Sequence, residues 1–359
     1  MATGQFRFTY RTDGGDEIHV EPHYVRPFDV GALLEPRDGE IAGLPIEMQS
    51  QGMVHNGERR EELFDVCARV QFPEALTIFS LIRGGWVPMP FTIPPRFLVD
   101  RNVVIQLRRI REGRNVANSQ ALLWWTRLFE GGVAMFNPLL YAYEGAHRRK
   151  PTKTEFIQAY EEGLAEIEQA LPACHVVRQN QRGYDAAYEQ LEAFDRRAAR
   201  EVAFLVEVSP LITQRASEAQ LWNVAREVLD LAARHQLERG SMPAIAALSC
   251  VFEDANGAVR SIGRTLLKPS ATYSEADAFN AMSDIRHIEI TSAGQTHFGP
   301  ESFALCTCDR GLARFWSALA IRGTSVLGDA IENTFDLGSD MFSRLDDSGI
   351  RRLHAELLQ

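Results

Sequence analysis

No apolar run in the chain approaches the roughly 20 residues that a bilayer-spanning helix requires. The opening segment MATGQFRFTYRTDGGDE also lacks the apolar core of a secretory signal. A soluble, cytoplasmic protein without a membrane partner is therefore expected. Cysteine is scarce and odd in number: Cys67, Cys174, Cys250, Cys306 and Cys308 are the five, with no C-x-x-C pair. Neither a disulfide framework nor a structural zinc site fits that pattern. Cys306 and Cys308 share one strand face and read as small core residues. Repeats and low-complexity tracts are absent, and so is any excess of positive charge. The net charge of −10 argues against general adhesion to nucleic acid or anionic lipid, but it leaves room for a local basic groove. What is present suffices for an ordinary core. With 45% hydrophobic and 24% charged residues over 359 positions, the chain is long enough for two domains or one domain with large insertions, and too apolar for disorder.

Residues 1–92 are rich in turn formers (TDGGDE, EPRDGE, HNGERR, RGGWVPMPFTIPPR). Between them lie short pieces such as QFRFTYR and a helical-looking REELFDVCARVQFPEALTIFSLI, which together predict a small N-terminal α+β extension. Pro94 and Pro95 mark its end. Residues 93–359 read as an α/β domain: strand 97–101, helix 103–111, helix about 117–130, then strand 132–144 in GVAMFNPLLYAYE. A βαβ progression of this kind predicts a mainly parallel sheet covered by helices on both faces. TEFIQAYEEGLAEIEQAL, YDAAYEQLEAFDRRAAREVAFLVEV and EAQLWNVAREVLDLAARHQLERG carry apolar residues three and four apart, which predicts a long helical insertion at about 151–270. A hairpin-like VFEDANGAVRSIG follows, then helix SEADAFNAMSDIRHIEI, strand FALCTCD and helix RGLARFWSALAIRG.

The segment FLVDRNVVIQL sets an aspartate, Asp100, in apolar surroundings. An ionised carboxylate taken from water costs several kcal/mol unless something pairs with it, so Asp100 belongs at a strand end. It either caps the following helix with help from Asn102, or it joins a charged site. Glu144 ends the second strand region and Asp309 the late one, both at the carboxyl edge where open parallel sheets form sites. Asp284 borders the apolar stripe of Ala278, Ala281, Ile285 and Ile288. Taken singly, Glu144 reads as a surface acid and Asp284 as a solvated flank.

Taken together, these ordered patterns resemble the PIN-domain nucleases. VDRNVV is similar to that family's first motif, NPLLYAYE to its second, AFNAMSDIRHIEI to its third and TCDRGLARF to its fourth, over about residues 95–325. The resemblance implies a three-layer α/β sandwich with a mainly parallel central sheet. It also implies a metal-dependent nuclease, an endoribonuclease in preference to a DNA-cutting enzyme, and a toxin role is common in the family. Asp100, Glu144, Asp284 and Asp309 would hold Mg²⁺ or Mn²⁺, with Asn102 and Thr307 as their hydrogen-bond partners. The 140 residues between Glu144 and Asp284 (284 − 144) require the insertion, and they leave Asp277 and Glu289 as alternatives for the third acid. The donor type agrees with the ion, since hard Mg²⁺ and Mn²⁺ prefer oxygen ligands. Crowded carboxylates repel by about 4 kcal/mol per pair at an effective dielectric near 20, and a divalent ion relieves that repulsion.

Basic residues follow three of these acids. Arg108, Arg109, Arg111 and Arg114 come after Asp100; His147, Arg148, Arg149, Lys150 and Lys153 after Glu144; Arg310 and Arg314 after Asp309. Of these, Arg108, Arg109, Arg148, Arg149, Lys150 and Arg310 are the expected phosphate contacts of a nucleic-acid groove. Two alternatives stay open. A haloacid-dehalogenase-like phosphohydrolase would use LGDAIEN as its late acidic motif and Lys268 to neutralise phosphate, but it wants an aspartate where Asn102 stands. A non-catalytic RNA-binding module would keep the scaffold and use the helical insertion to meet a second copy or a regulatory protein.

Overall fold

In the computed structural model the apolar residues before Asp100 form a strand, Arg96–Val99, whose Phe97, Leu98 and Val99 are all buried. The structure describes residues 8–11, 17–20, 22–34, 44–50, 53–55, 58–60, 64–70, 78–92, 96–114, 134–254, 262–299, 302–327 and 330–358. Arg96–Val99 pairs in parallel with Met135–Asn137 on one side and with Phe303–Thr307 on the other. His175–Val176 adds a fourth parallel strand beyond Met135–Asn137. The antiparallel hairpin Phe79–Ile82 and Gly85–Pro88 closes the opposite edge. The chain therefore leaves the central strand in one direction and returns on its other side. This reversal opens a crevice at the carboxyl ends of Arg96–Val99 and Phe303–Thr307.

Strand periodicity splits the core into two layers. Phe97, Val99, Phe136, Ala304 and Cys306 point to the face covered by helices Arg101–Arg111 and Lys153–Ala170, with Val103, Val104, Leu107 and Ile167 packed among them. Phe97 and Phe136 stack with ring centroids 5.0 Å apart. Leu98, Leu305 and Leu81 point the other way, into a larger core built by helices Leu139–Glu144, Glu275–Phe298 and Arg310–Leu319 together with the insertion. The result is an α/β sandwich with helices on both faces of a mostly parallel sheet.

Several expectations change. The predicted strand 132–144 stops at Asn137; Pro138 then starts the helix Leu139–Glu144, so Glu144 ends a helix rather than a strand. Leu140, Tyr141, Ala142 and Tyr143 are buried in succession, which is why the run carries no periodicity to tell the two apart. REELFDVCARVQFPEALTIFSLI is not a helix where it is described. Phe64–Val70 and Phe79–Ile82 are strands, and exposure alternates from Asp65 to Ala68 with the period of two that a half-covered strand demands. The central sheet takes in Phe79–Ile82 and Gly85–Pro88, so it starts inside residues 1–92 rather than after them. Gly85 is required at that hairpin. Its φ is +150°, and a Cβ there would meet the Phe28 carbonyl oxygen at 2.1 Å.

Within 151–270, Lys153–Ala170 is the crossover leading to strand His175–Val176. The added matter is therefore Gln181–Thr213, Leu221–Arg234, the wholly buried Met242–Val251, and Ile262–Leu267. The helix expected at 117–130 lies outside the described residues. The hairpin-like VFEDANGAVRSIG instead ends one helix at Val251 and begins another at Ile262, and 255–261 lie outside the described residues. After Leu319 the chain turns through Ala320, at φ +41°, into the strand pair Ile321–Leu327 and Ala330–Phe335; of LGDAIEN, Gly328 and Asp329 lie outside the described residues. No helix among the described residues is long and apolar enough to cross a membrane.

Candidate functional site

Helix Arg101–Arg111 begins where the central strand ends, and its first amides need an acceptor. Asp100 supplies one: its Oδ1 accepts from the Arg101 amide at 2.6 Å. Its Oδ2 accepts from Thr307 Oγ1 at 2.5 Å and from Asn102 Nδ2 at 2.6 Å. The same two partners tie it to the neighbouring strand, because Asn102 Oδ1 accepts from the Cys308 amide at 2.7 Å and Thr307 Oγ1 accepts from the Asp309 amide at 3.0 Å. Asn102 and Thr307 thus hold Asp100 in one orientation. Asp309 repeats the design at the next helix, where its Oδ1 accepts from the Gly311 and Leu312 amides at 2.6 and 3.1 Å. Its Oδ2 lies 3.6 Å from Lys268 Nζ.

The remaining two acids come from the opposite layer. Glu144 closes helix Leu139–Glu144 next to Gly145, at φ +64°. Its carboxyl is pushed up to about 8, by burial first and by the Asp100 charge second, with Arg101 opposing. Asp284 sits mid-way along helix Glu275–Phe298, half-buried, and lines the cleft. Burial raises its carboxyl well above the usual range, the charges of Asp309, Asp100 and Glu144 add to this, and Lys268 opposes. All four acids line a single cleft of about 320 Å³, together with Arg101, Asn102, Arg148 and Asn280. It lies at the crevice where the sheet topology reverses.

The other two candidates for the third acid are engaged elsewhere. Asp277 forms a capping box with Ser274 at the start of its helix. Glu289 is buried against Arg197 at 2.6 Å, beside a second pair, Arg286 and Glu201, at 3.0 Å. Its carboxyl is pushed up to about 7 by burial, with Arg197 opposing.

His287, which sequence reasoning missed, lies one helical turn after Asp284 and is 1% exposed. One of its ring nitrogens, one Asp100 oxygen and one Glu144 oxygen lie within 4.8 Å of one another. The spacing of Asp284 and His287, three apart on one helix face, was the available sign. It was hidden because residues 285–293 are all buried, so no amphipathic stripe marks a functional face. Arg101 was missed as well; it lines the cleft with its guanidinium 4.8 Å from the Tyr141 ring centroid.

The basic clusters mostly serve packing. Arg108 pairs with Glu162 and, at 3.0 Å, with Glu166; Arg149 pairs with Glu155 at 2.7 Å; Lys150 pairs with Asp195 at 3.1 Å. Arg310 donates to the Leu33 carbonyl at 2.7 Å. Arg109 is exposed on its helix and does not line the cleft. Of the six expected contacts only Arg148 borders the cleft, at φ +50° and 3.9 Å from Asp277, so the cations near the acids are Arg101, Arg148 and Lys268. Arg108, Arg109 and Arg310 lie on helices, where neighbours in sequence point to different sides, and Arg149 and Lys150 lie in the loop after Gly145 and turn to Glu155 and Asp195.

Among the described residues, Asp100, Glu144 and His287 bring ligand atoms within 4.8 Å of one another, while Asp284 and Asp309 stand on the wall of the same cleft. No protein-family model, curated protein or solved structure matches the chain.

Proposed function

We propose that the chain is a metal-dependent nuclease, an endoribonuclease in preference to a deoxyribonuclease, on a PIN-like α/β scaffold. Asp100, Glu144, Asp284 and Asp309 would hold Mg²⁺ or Mn²⁺. One observation carries the reading. Four carboxylates from separate chain segments line one cleft, and the nearby cations do not return Glu144 or Asp284 to the ordinary carboxylate range. Such crowding calls for a further positive charge, and an oxygen donor set suits a hard divalent ion.

When bound, the ion supplies Lewis-acid chemistry: activation of water toward phosphorus and relief of the charge that develops on the phosphate. The chain does the rest. Asn102 and Thr307 fix the direction in which Asp100 presents its oxygens. Asp284 and Glu144, whose proton affinity burial raises, would give up their protons to ion binding, and whichever oxygen stays uncoordinated would accept the proton of the attacking water. Arg148 and Arg101, at the rim, would receive the flanking phosphates.

The Lys268–Asp309 contact of 3.6 Å favours a second reading, a haloacid-dehalogenase-like phosphohydrolase that uses Lys268 against phosphate. Against it, Asn102 stands where that chemistry needs an acid, and its amide is committed to Asp100 and Cys308. Labelled RNA and DNA incubated with Mg²⁺, Mn²⁺ or chelator, using wild type beside Asp100→Asn, test the proposal. RNA cleavage that needs the metal and vanishes in the variant is expected, and cleavage surviving in Asp100→Asn refutes it. Turnover of small phosphomonoesters without nucleic-acid cleavage would select the phosphohydrolase. The absence of any Mn²⁺ heat in calorimetry would select a non-catalytic RNA-binding module.

A further inference from the structure

His287 is buried among charged groups and poorly satisfied. Its side chain is 1% exposed, its Nδ1 lies 3.7 Å from Asp100 Oδ1, and neither ring nitrogen makes a well-formed hydrogen bond, the Leu140 backbone offering only a weak one. Nearly all buried side-chain polar groups in folded proteins are paired, so an imidazole without a well-formed partner, set against two carboxylates, calls for one. The spacing suits a shared ion. Ligands at about 2.1 Å from a metal stand roughly 3 Å apart when adjacent and about 4.2 Å apart when opposite. The 3.7 Å separation from Asp100 falls between these limits, and the full set with Glu144 closes within 4.8 Å.

We propose that His287 is a direct nitrogen ligand, and that the Asp100, Glu144 and His287 set makes this cleft select a first-row transition ion, from Mn²⁺ to Zn²⁺, over Mg²⁺. The chemistry follows from the donor. Mg²⁺ takes oxygen ligands and water almost to the exclusion of nitrogen, whereas imidazole suits the transition ions, with affinity rising from Mn²⁺ toward the end of the row. The acids alone leave Mg²⁺ and Mn²⁺ nearly equivalent; a nitrogen donor separates them. Helix Glu275–Phe298 then delivers two functional groups, Asp284 and His287, from adjacent positions on one turn. This inference rests on the cleft being a metal site, as proposed above, and does not depend on which phosphodiester is cut.

The test uses the full chain, stripped with chelator and loaded with one equivalent of Mn²⁺, and reads pulsed electron paramagnetic resonance. Nitrogen modulation from a coordinated imidazole is expected in wild type, changing character when histidine is ¹⁵N-labelled and disappearing in His287→Asn. Calorimetry with Mn²⁺ and Mg²⁺ gives the second readout. Loss of even an outer-shell partner typically lowers metal affinity 10–100-fold, so loss of a ligand should reduce the Mn²⁺-to-Mg²⁺ affinity ratio by at least about tenfold. An unchanged ratio, or bound Mn²⁺ without nitrogen coupling, overturns the proposal. Should His287→Asn fail to fold, His287→Gln takes its place, and the wild-type spectrum alone still overturns the idea if no nitrogen couples. Nitrogen-coupled Mn²⁺ in a protein that cleaves no nucleic acid supports this inference while counting against the nuclease. A wild type that binds no divalent ion overturns both.

Discussion

Replacing Glu144 with glutamine removes a charge from the cleft with almost no change in volume. The wild-type carboxyl is pushed from 4.5 up to about 8. Between those limits the native protein binds more protons than the unfolded chain, so stability falls as pH rises through the window and levels off above it. At about 1.4 kcal/mol per tenfold in proton affinity, the gap of 8 − 4.5 = 3.5 corresponds to a cost of roughly 5 kcal/mol above pH 8. At pH 7, still below the folded value, about 3 kcal/mol of this is expressed. Solvent screening in the open cleft reduces it, which leaves about 1–3 kcal/mol as the expected gain for metal-free Glu144→Gln at pH 7. Near pH 4 both states of the wild-type side chain are protonated, and the two proteins should be equally stable. Urea unfolding in chelator at pH 4, 5.5, 7 and 8.5 measures this directly. With Mn²⁺ at about 100 times its dissociation constant, wild type should gain about 2.7 kcal/mol and the variant should lose most of that gain. A variant less stable than wild type at pH 7, or a stability difference that does not change between pH 4 and 8.5, would refute the crowded-cleft reasoning.

Asp309 separates two duties. Asp309→Asn keeps a good cap, so apo stability should change by less than about 0.5 kcal/mol while the metal-induced thermal shift collapses; Asp309→Ala should lose the cap too, at about 1–2 kcal/mol. Arg148→Ala should lower the salt dependence of RNA binding by about one ion, measured by titration at several salt concentrations, whereas Arg108→Ala should leave that slope unchanged because Arg108 is paired with Glu162 and Glu166. Glu289→Ala takes from the half-buried Arg197 its closer carboxylate and leaves Glu201 at 3.8 Å, so it should destabilise the fold by about 1–3 kcal/mol in urea unfolding, with Mn²⁺ affinity intact.

The parts of this molecule that sequence could reveal are those with local causes. The central strand and its Asp100 were legible because a β-branched apolar run with one acid admits few placements. The late strand and helix around Asp309 were legible for the same reason. What failed had non-local causes. The run after Asn137 is buried on all sides, so helix and strand look alike within it. Phe79–Ile82 joins the sheet only because Phe303–Thr307, more than two hundred residues later, offers an edge. His287 becomes visible as a partner for Asp100 only once two layers of the fold are stacked. Arg108, Arg109 and Arg310 were misplaced for a related reason, since a helix turns neighbouring residues about 100° apart, and Arg149 because its partner Glu155 starts the next helix.

The two readings of Asp100, helix cap and site acid, turn out not to compete. Asp100 and Asp309 each end the strand region before a helix, and each places its carboxylate against the positive end of that helix, where backbone amides and the helix dipole stabilise an anion by about 0.3–1 kcal/mol or more. Two carboxylates therefore stand at the switch point of the sheet, each fixed in orientation by the amides it caps. Glu144 has no such support, since it ends its helix at the negative pole, and Asp284 lies mid-helix, out of reach of either pole. Those are the two acids whose proton affinity is raised. The fold thus divides the cluster into a pair oriented by helix caps and a protonation-prone pair from the opposite layer. It follows that metal uptake should release protons, and that affinity should climb with pH up to about 8, as Glu144 gives up its proton. Capping acids alone would produce neither effect.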